Sequence, residues 1–273
     1  MQDFSIKVWG ARGSTPTPGK GTLRYGGETT CFELRAGNRL VVVDCGSGAR
    51  HLGDSLALKD PVDFDLFFTH THLDHICGLP FFKPAYSPDF KVNFWAGHLK
   101  EPLLLRDVIC RIMSPPVFPV TARGLKGVKF RSFKCEMTRS WEEGLSMQAV
   151  CLHHPDGACG YRFDYKGQSI CIMTDHEAGE TAIDERICEV IAGSDIVIID
   201  GMYTDGEYPP LKGYGHSSWQ AALDICMRAN VKVPVLFHHH PNRLDEQLDE
   251  IKLQAQKIHP KCLIAFDGME LSP

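Results

Sequence analysis

The sequence predicts an α/β fold with two β-sheets covered by helices. Two observations lead there. Short apolar or alternating runs recur along the whole chain, with helical periodicity between them, and the strand–helix alternation becomes regular after Thr174. Side chains able to bind a metal then gather where those runs stop, at the strand ends where sites on such folds lie. No linker, low-complexity tract or solenoid-length repeat divides the 273 residues. The expectation is one domain, 1–273.

Taken in order, Phe4 to Trp9 alternates as a half-buried strand does, then breaks into a Gly- and Pro-rich loop from Gly10 to Gly19 that continues to Gly27. Its backbone, with Arg12, Ser14, Thr15 and Arg24, can cradle an anionic group. A plain connecting loop is the alternative, because the spacing of a helix-opening phosphate loop is missing. Cys31 to Arg35 and Arg39 to Asp44 read as a hairpin around Ala36-Gly37-Asn38, with a helix from about Ala49. Asp44, at its strand end, is placed either to orient a metal-bound histidine or to cap that helix.

Leu66 to Thr69 and Lys91 to Trp95 read as strands, and Glu101 to Met113 has helical periodicity. The Pro-rich apolar segment 114–127 is a candidate lid or contact loop, although a packed crossover uses proline equally. Val128 to Phe133, Ser146 to Leu152, Gly160 to Tyr165 and Ser169 to Thr174 follow as strands, the last two joined through Lys166-Gly167-Gln168. Helices are expected at 182–192, 217–229 and 243–258, alternating with strands at 195–200, 233–237 and 262–265.

Composition narrows the function only a little. A formal charge of -5 gives no global electrostatic case for duplex nucleic acid as an obligate partner, though a local basic groove is compatible with it. Eleven cysteines without a Cys-x-x-Cys pair read as reduced thiols. With no basic-then-apolar start and no membrane-length apolar run, a cytoplasmic protein without a membrane partner is expected.

The most informative stretch is Thr69-His70-Thr71-His72-Leu73-Asp74-His75, which follows an apolar strand. In an extended segment, residues two apart point the same way, so His70 and His72 can grip one ion. Asp74 and His75 diverge from them unless the chain turns into a helix there, which swings both toward a second ion. A solvated His-rich loop is the bland alternative, and three His and an Asp at a strand mouth argue against it. Three more strand ends supply polar groups: His153-His154, Asp175-His176-Glu177 and His238-His239-His240. Gly213-Tyr214-Gly215-His216-Ser217-Ser218 opens a helix, with His216 and Ser217 either facing an anion or capping it.

The His-x-His-x-Asp-His motif at 70–75, with His154, Asp175 and His238, resembles the metallo-β-lactamase superfamily. The resemblance implies an αβ/βα four-layer sandwich with two divalent ions (manganese, iron or zinc). His70, His72 and His154 would hold one, Asp74, His75 and His238 the other, and Asp175 would bridge them. It also selects His154 over His153, and His238 over its two neighbours.

The Gly-His-Ser-Ser run is similar to an element of the RNA-processing and phosphodiesterase branch, in which that histidine assists leaving-group departure. The loops at Arg12 to Pro16, Arg24 to Thr30 and His154 to Arg162 resemble a bacterial subgroup linked to cyclic-nucleotide and cyclic-dinucleotide hydrolysis. That subgroup usually has Asn at Glu28 and Asp at His240. The arm by which transfer-RNA-processing relatives grip RNA is not evident.

A small phosphodiester such as cyclic di-GMP is therefore the expected substrate, with Asp74 and His216 catalytic. Arg12, Ser14, Arg24 and Ser217 would contact the substrate, and Phe118 or Trp219 would offer a wall for a base, unless they are core. Two ions about 3.5–4 Å apart would activate a water and neutralise phosphate oxygens. A glyoxalase II type thioesterase, an RNA 3′-end processing nuclease and a non-catalytic nucleotide sensor are the alternatives. A homodimer closing the site near Ser114 to Val120 is compatible with the sequence.

Overall fold

The structure is a computed structural model and describes residues 3–100 and 104–273. β1 (Phe4–Gly10), β2 (Cys31–Ala36) and β3 (Arg39–Val43) form an antiparallel meander. After α1 (Ala49–Ala57), the strands β4 (Phe64–Phe68), β5 (Val92–Ala96) and β6 (Val128–Ser132) add in parallel. Two single-turn helices, α2 (Leu73–Ile76) and α3 (Lys83–Tyr86), lie between β4 and β5, and α4 (Leu105–Ile112) lies between β5 and β6.

The second sheet begins with β7 (Thr138–Ser140), β8 (Ser146–Leu152), β9 (Ala158–Tyr165) and β10 (Gln168–Met173), all antiparallel. β11 (Ile196–Asp200), β12 (Val233–Phe237) and β13 (Leu263–Ile264) then add in parallel, separated by α5 (Thr181–Ile191), α6 (Trp219–Arg228) and α7 (Asp245–Ile258). A final strand, β14 (Glu270–Leu271), returns to pair with β1. The orders are β14-β1-β2-β3-β4-β5-β6 and β13-β12-β11-β10-β9-β8-β7. Each sheet thus changes from antiparallel to parallel once, at β3 in the first and β10 in the second.

Local chemistry explains these elements. β1 alternates buried and half-buried residues along its length, whereas β4 and β11 are buried throughout, as parallel strands covered on both faces must be. Lys166 and Gly167 both have positive φ, 51° and 79°, the backbone a two-residue hairpin turn requires. The sheets face each other across a shared core in which Ile6, Phe32 and Phe67 meet Met147, Tyr161 and Phe237. Phe67 lies at its aromatic centre, stacked on Trp95 at 5.8 Å and tilted on Tyr161 at 5.6 Å. Apolar faces of α1 and α4 cover the first sheet, and those of α5, α6 and α7 the second.

Most expected elements are present within a residue or two of their bounds. The expected helix start at Glu101 falls outside the described residues. Two strands went unread, β7 and β14, which at three and two residues are too short to show alternation. Trp219, the first residue of α6, is core, the second of the two roles the sequence allows it. In segment 114–127, Phe118 packs edge-on against Phe81 at 5.7 Å, while Val117 and Val120 are exposed. Among the described residues no helix is long and apolar enough to cross a membrane.

Because Phe67 fills the middle of the shared core, Phe67→Ala should cost about 3–5 kcal/mol of unfolding free energy. Urea titration checks this, and a loss below about 1 kcal/mol would mean the sheets do not depend on that contact.

Candidate metal centre

The motif lies where β4 ends. Thr69 fixes that end by donating its backbone N–H and its hydroxyl to the two oxygens of Asp44, both at 2.7 Å. His70 and His72 follow in extended chain, and α2 opens immediately after His72. That turn brings Asp74 and His75 round beside the first pair, as the uneven spacing anticipates. β8, β10 and β12 deliver His154, Asp175 and His238 from the facing sheet.

Three groups of ligand atoms drawn from the expected metal ligands converge: His70, His72 and His154; His70, His75 and Asp175; Asp74, His75 and His238. A fourth joins Asp175 and His238 to Asp200 and His216. Asp175 spans them. Its Oδ1 lies 3.8 Å from Nε2 of both His70 and His154, and its Oδ2 lies 3.2 Å from His75 Nε2 and 3.4 Å from His238 Nε2. His153 instead turns its Nδ1 to the Glu177 carbonyl. His239 bonds the Ala265 carbonyl, and His240 accepts from the Asn242 amide. Neither of these neighbours reaches the cluster.

The donor set suits a divalent cation. The buried Nε2 atoms of His70 and His75 have no hydrogen-bond partner, an arrangement that costs free energy unless something else engages them. Burial opposes charge on Asp74, yet the imidazoles of His75 and His238 overcome it and hold its carboxyl well below the usual range. Burial likewise drives His70 far below its ordinary value, and His154 down to about 4, leaving neutral nitrogens. Against its own burial, His75 is raised well above the usual imidazole value by Asp175, Asp74 and Asp44. A cation answers the same excess of carboxylate charge. The nitrogen and oxygen donors suit zinc, manganese or iron alike.

The surrounding hydrogen bonds set ring orientation. Asp44 accepts from His75 Nδ1 at 2.8 Å, and the Gly215 carbonyl accepts from His154 Nδ1 at 2.8 Å. Glu177 in turn accepts the amides of Gly213 and Gly215. His216 lies beside the cluster, its ring 4.9 Å from His238 and 5.3 Å from His154. Its Nδ1 meets Asp200 Oδ2 at 2.7 Å. Burial favours neutral imidazole there, but Asp200, helped by Asp175 and Asp74, outweighs it and lifts His216 to about 9.

Asp200 and Glu177 had no assigned role from sequence. The available signal for Asp200 was a carboxylate closing a fully apolar strand, the same placement as Asp44 and Asp175.

The expected substrate contacts need correction. Arg12 is fully buried, and its guanidinium donates to the carbonyls of Gly26, His240 and Arg243. It ties loops together and presents no charge to a ligand. Arg24 is turned to the acids of α7, pairing with Asp249 at 2.6 Å. Ser217 is buried, donating to the His176 carbonyl and accepting from the Ala178 amide, while Ser218 caps α6. Only Ser14 reaches the cluster, through a backbone N–H donated to Asp74 Oδ2 at 2.8 Å. The Gly-rich loop therefore closes on a carboxylate of the site, where an anion had been expected.

A family model described as the β-lactamase superfamily domain matches residues 39–239. The chain belongs to the β-lactamase superfamily. Within it the chain is similar to ribonuclease Z of Parabacteroides distasonis, 22% identical with all of both chains covered. It is also similar to ribonuclease Z of Treponema pallidum, 22% identical over 96% of this chain and 95% of the relative. The fold matches human tRNase Z, short form, with TM-score 0.70, 21% identity and 98% of each chain covered.

This superfamily member is a metal-dependent hydrolase of the phosphodiesterase branch, which includes RNA-processing members. One expectation falls. A small phosphodiester partner, with no obligate duplex nucleic acid, was expected from the net charge and the loops, whereas these relatives are ribonucleases by name.

A Cβ added at Gly215, whose φ is +89°, would lie 2.1 Å from His154 Nδ1. Gly215→Ala should therefore displace His154 and weaken divalent-metal affinity at least about tenfold while the protein stays folded. Metal titration monitored by calorimetry checks this, and parent-like affinity would remove His154 from the ligand set.

Proposed function

We propose that this superfamily member is a two-metal RNA phosphodiesterase, a processing endonuclease of the ribonuclease Z kind. The observation that carries the reading is His216, held by buried Asp200 at 2.7 Å beside the convergent ligand groups. Thioester hydrolysis gives that pair no task, whereas a phosphodiester leaves an alkoxide that must be protonated. Whole-length likeness to proteins named ribonuclease Z supports RNA as the polymer.

His70, His72 and His154 would hold one ion and Asp74, His75 and His238 a second, with Asp175 shared. Manganese, iron or zinc in that cradle would provide a nucleophile at neutral pH and withdraw charge from the non-bridging phosphate oxygens. The chain's own residues do the rest. Asp44 fixes the His75 ring, and the Gly215 carbonyl fixes that of His154. Asp200 fixes the His216 ring through Nδ1 and leaves Nε2 to give its proton to the departing oxygen.

The test is metal-replete protein incubated with a structured RNA carrying a 3′ extension, with products resolved by electrophoresis. Cleavage near the extension is expected, and intact RNA under all three metals would overturn the reading. His216→Ala should keep its metal and lose about 10²–10⁴-fold in turnover, while Asp74→Asn should lose both metal and turnover. Undiminished turnover by the His216 variant would remove that residue from the mechanism.

A further inference from the structure

The chain as a whole carries a formal charge of -5, yet between residues 104 and 135 it has seven basic residues and one acidic residue. Arg106 and Arg111 lie on α4, Arg123 and Lys126 in the connection after it, and Lys129, Arg131 and Lys134 on and just beyond β6. All seven are exposed. Among the described residues none of them forms an ion pair, whereas Lys83, Lys91 and Arg139 on neighbouring elements do.

Register places this charge relative to the metal cluster. β6 is the edge strand, parallel to β5, which is parallel to β4. Phe68 on β4 is level with Ala96, and Ala96 with Ser132. Lys134 thus stands two residues past the end of β6 as His70 stands two past the end of β4. The strands are two spacings, or about 10 Å, apart. From Lys126 to Lys134 the edge runs roughly 25 Å, enough for several phosphates of one strand. Lysines on an edge strand also guard against sheet-to-sheet aggregation, but that role does not account for the arginines of α4 or for Arg123.

We propose that the β6 edge, with the flanking arginines of α4, is a docking track for the phosphate backbone of RNA, ending level with the metal cluster. The track rests on the RNA reading given above and says where the polymer lies. A net acidic protein needs such a local strip, because counter-ion release from phosphates supplies most of the affinity for a polyanion.

The test compares the full-length, metal-replete parent with K129E/R131E/K134E and with the milder K129Q/R131Q/K134Q. Fluorescence anisotropy with a labelled 3′-extended structured RNA is read across a salt series, and thermal midpoints confirm that each variant is folded. The track predicts a dissociation constant raised at least tenfold near 100 mM salt. It also predicts a slope of log affinity against log salt reduced by about two to three, from three contacts at about 0.7–0.9 each. K257E/K261E, on and just beyond the distant α7, should bind as the parent does.

Unchanged affinity and slope in both triple variants would overturn the track while leaving the RNA reading intact. A parent that neither binds nor cleaves the RNA would overturn both. Loss of binding to phosphatidylserine vesicles without any change toward RNA would assign the strip to a lipid surface and overturn the proposal.

Discussion

Four aspartates, Asp44, Asp74, Asp175 and Asp200, are buried together where the two sheets meet. Buried carboxylates are tolerated only when paired or coordinated, so their neighbours are constrained in turn. His75 is held between Asp44, Asp74 and Asp175, and His216 between Asp200 and Asp175. Thr69 saturates Asp44, and Ser14 turns its amide to Asp74. The ends of β3, β4, β10, β11 and β12 and the N-terminal loop are all positioned by this one concentration of negative charge. Chemistry and architecture share a cause here.

The backbone shows the same constraint. Asp44, Asp175 and His238 have φ of 62°, 61° and 63°, a conformation that non-glycine residues adopt at a cost of order 1–3 kcal/mol each. Asp44 directly follows β3 and His238 directly follows β12, Asp175 is separated from the end of β10 by Thr174 alone, and each turns its side chain into the cluster. Such strain persists where surrounding contacts overdetermine it, and at these three positions it turns a buried side chain into the cluster.

Much of this was legible in the sequence because it is local. The uneven spacing from His70 to His75 encodes an extended end followed by a helical turn, and the α2 start at Leu73 realises it. Strand-terminal His154, Asp175 and His238 stood out for similar reasons. Arg12 misled because a guanidinium in a Gly-rich loop looks like an anion site until the loop's tertiary contacts are known. Its partners lie 14, 228 and 231 residues away. Asp200 passed as the last residue of an ordinary apolar strand. Net charge averages away the basic stretch between 104 and 135, which is why composition made no case for an obligate duplex nucleic acid and left only a local basic groove open.

The two sheets repeat one pairing scheme, each turning from antiparallel to parallel once. Each of the three groups that draw on the 70–75 motif takes at least one side chain from each side of the seam between them. A cation seated there is therefore a clasp between two lobes as well as a reagent. Its dissociation and the parting of the lobes become one thermodynamically linked event, and metal occupancy is translated into mechanical cohesion of the whole chain.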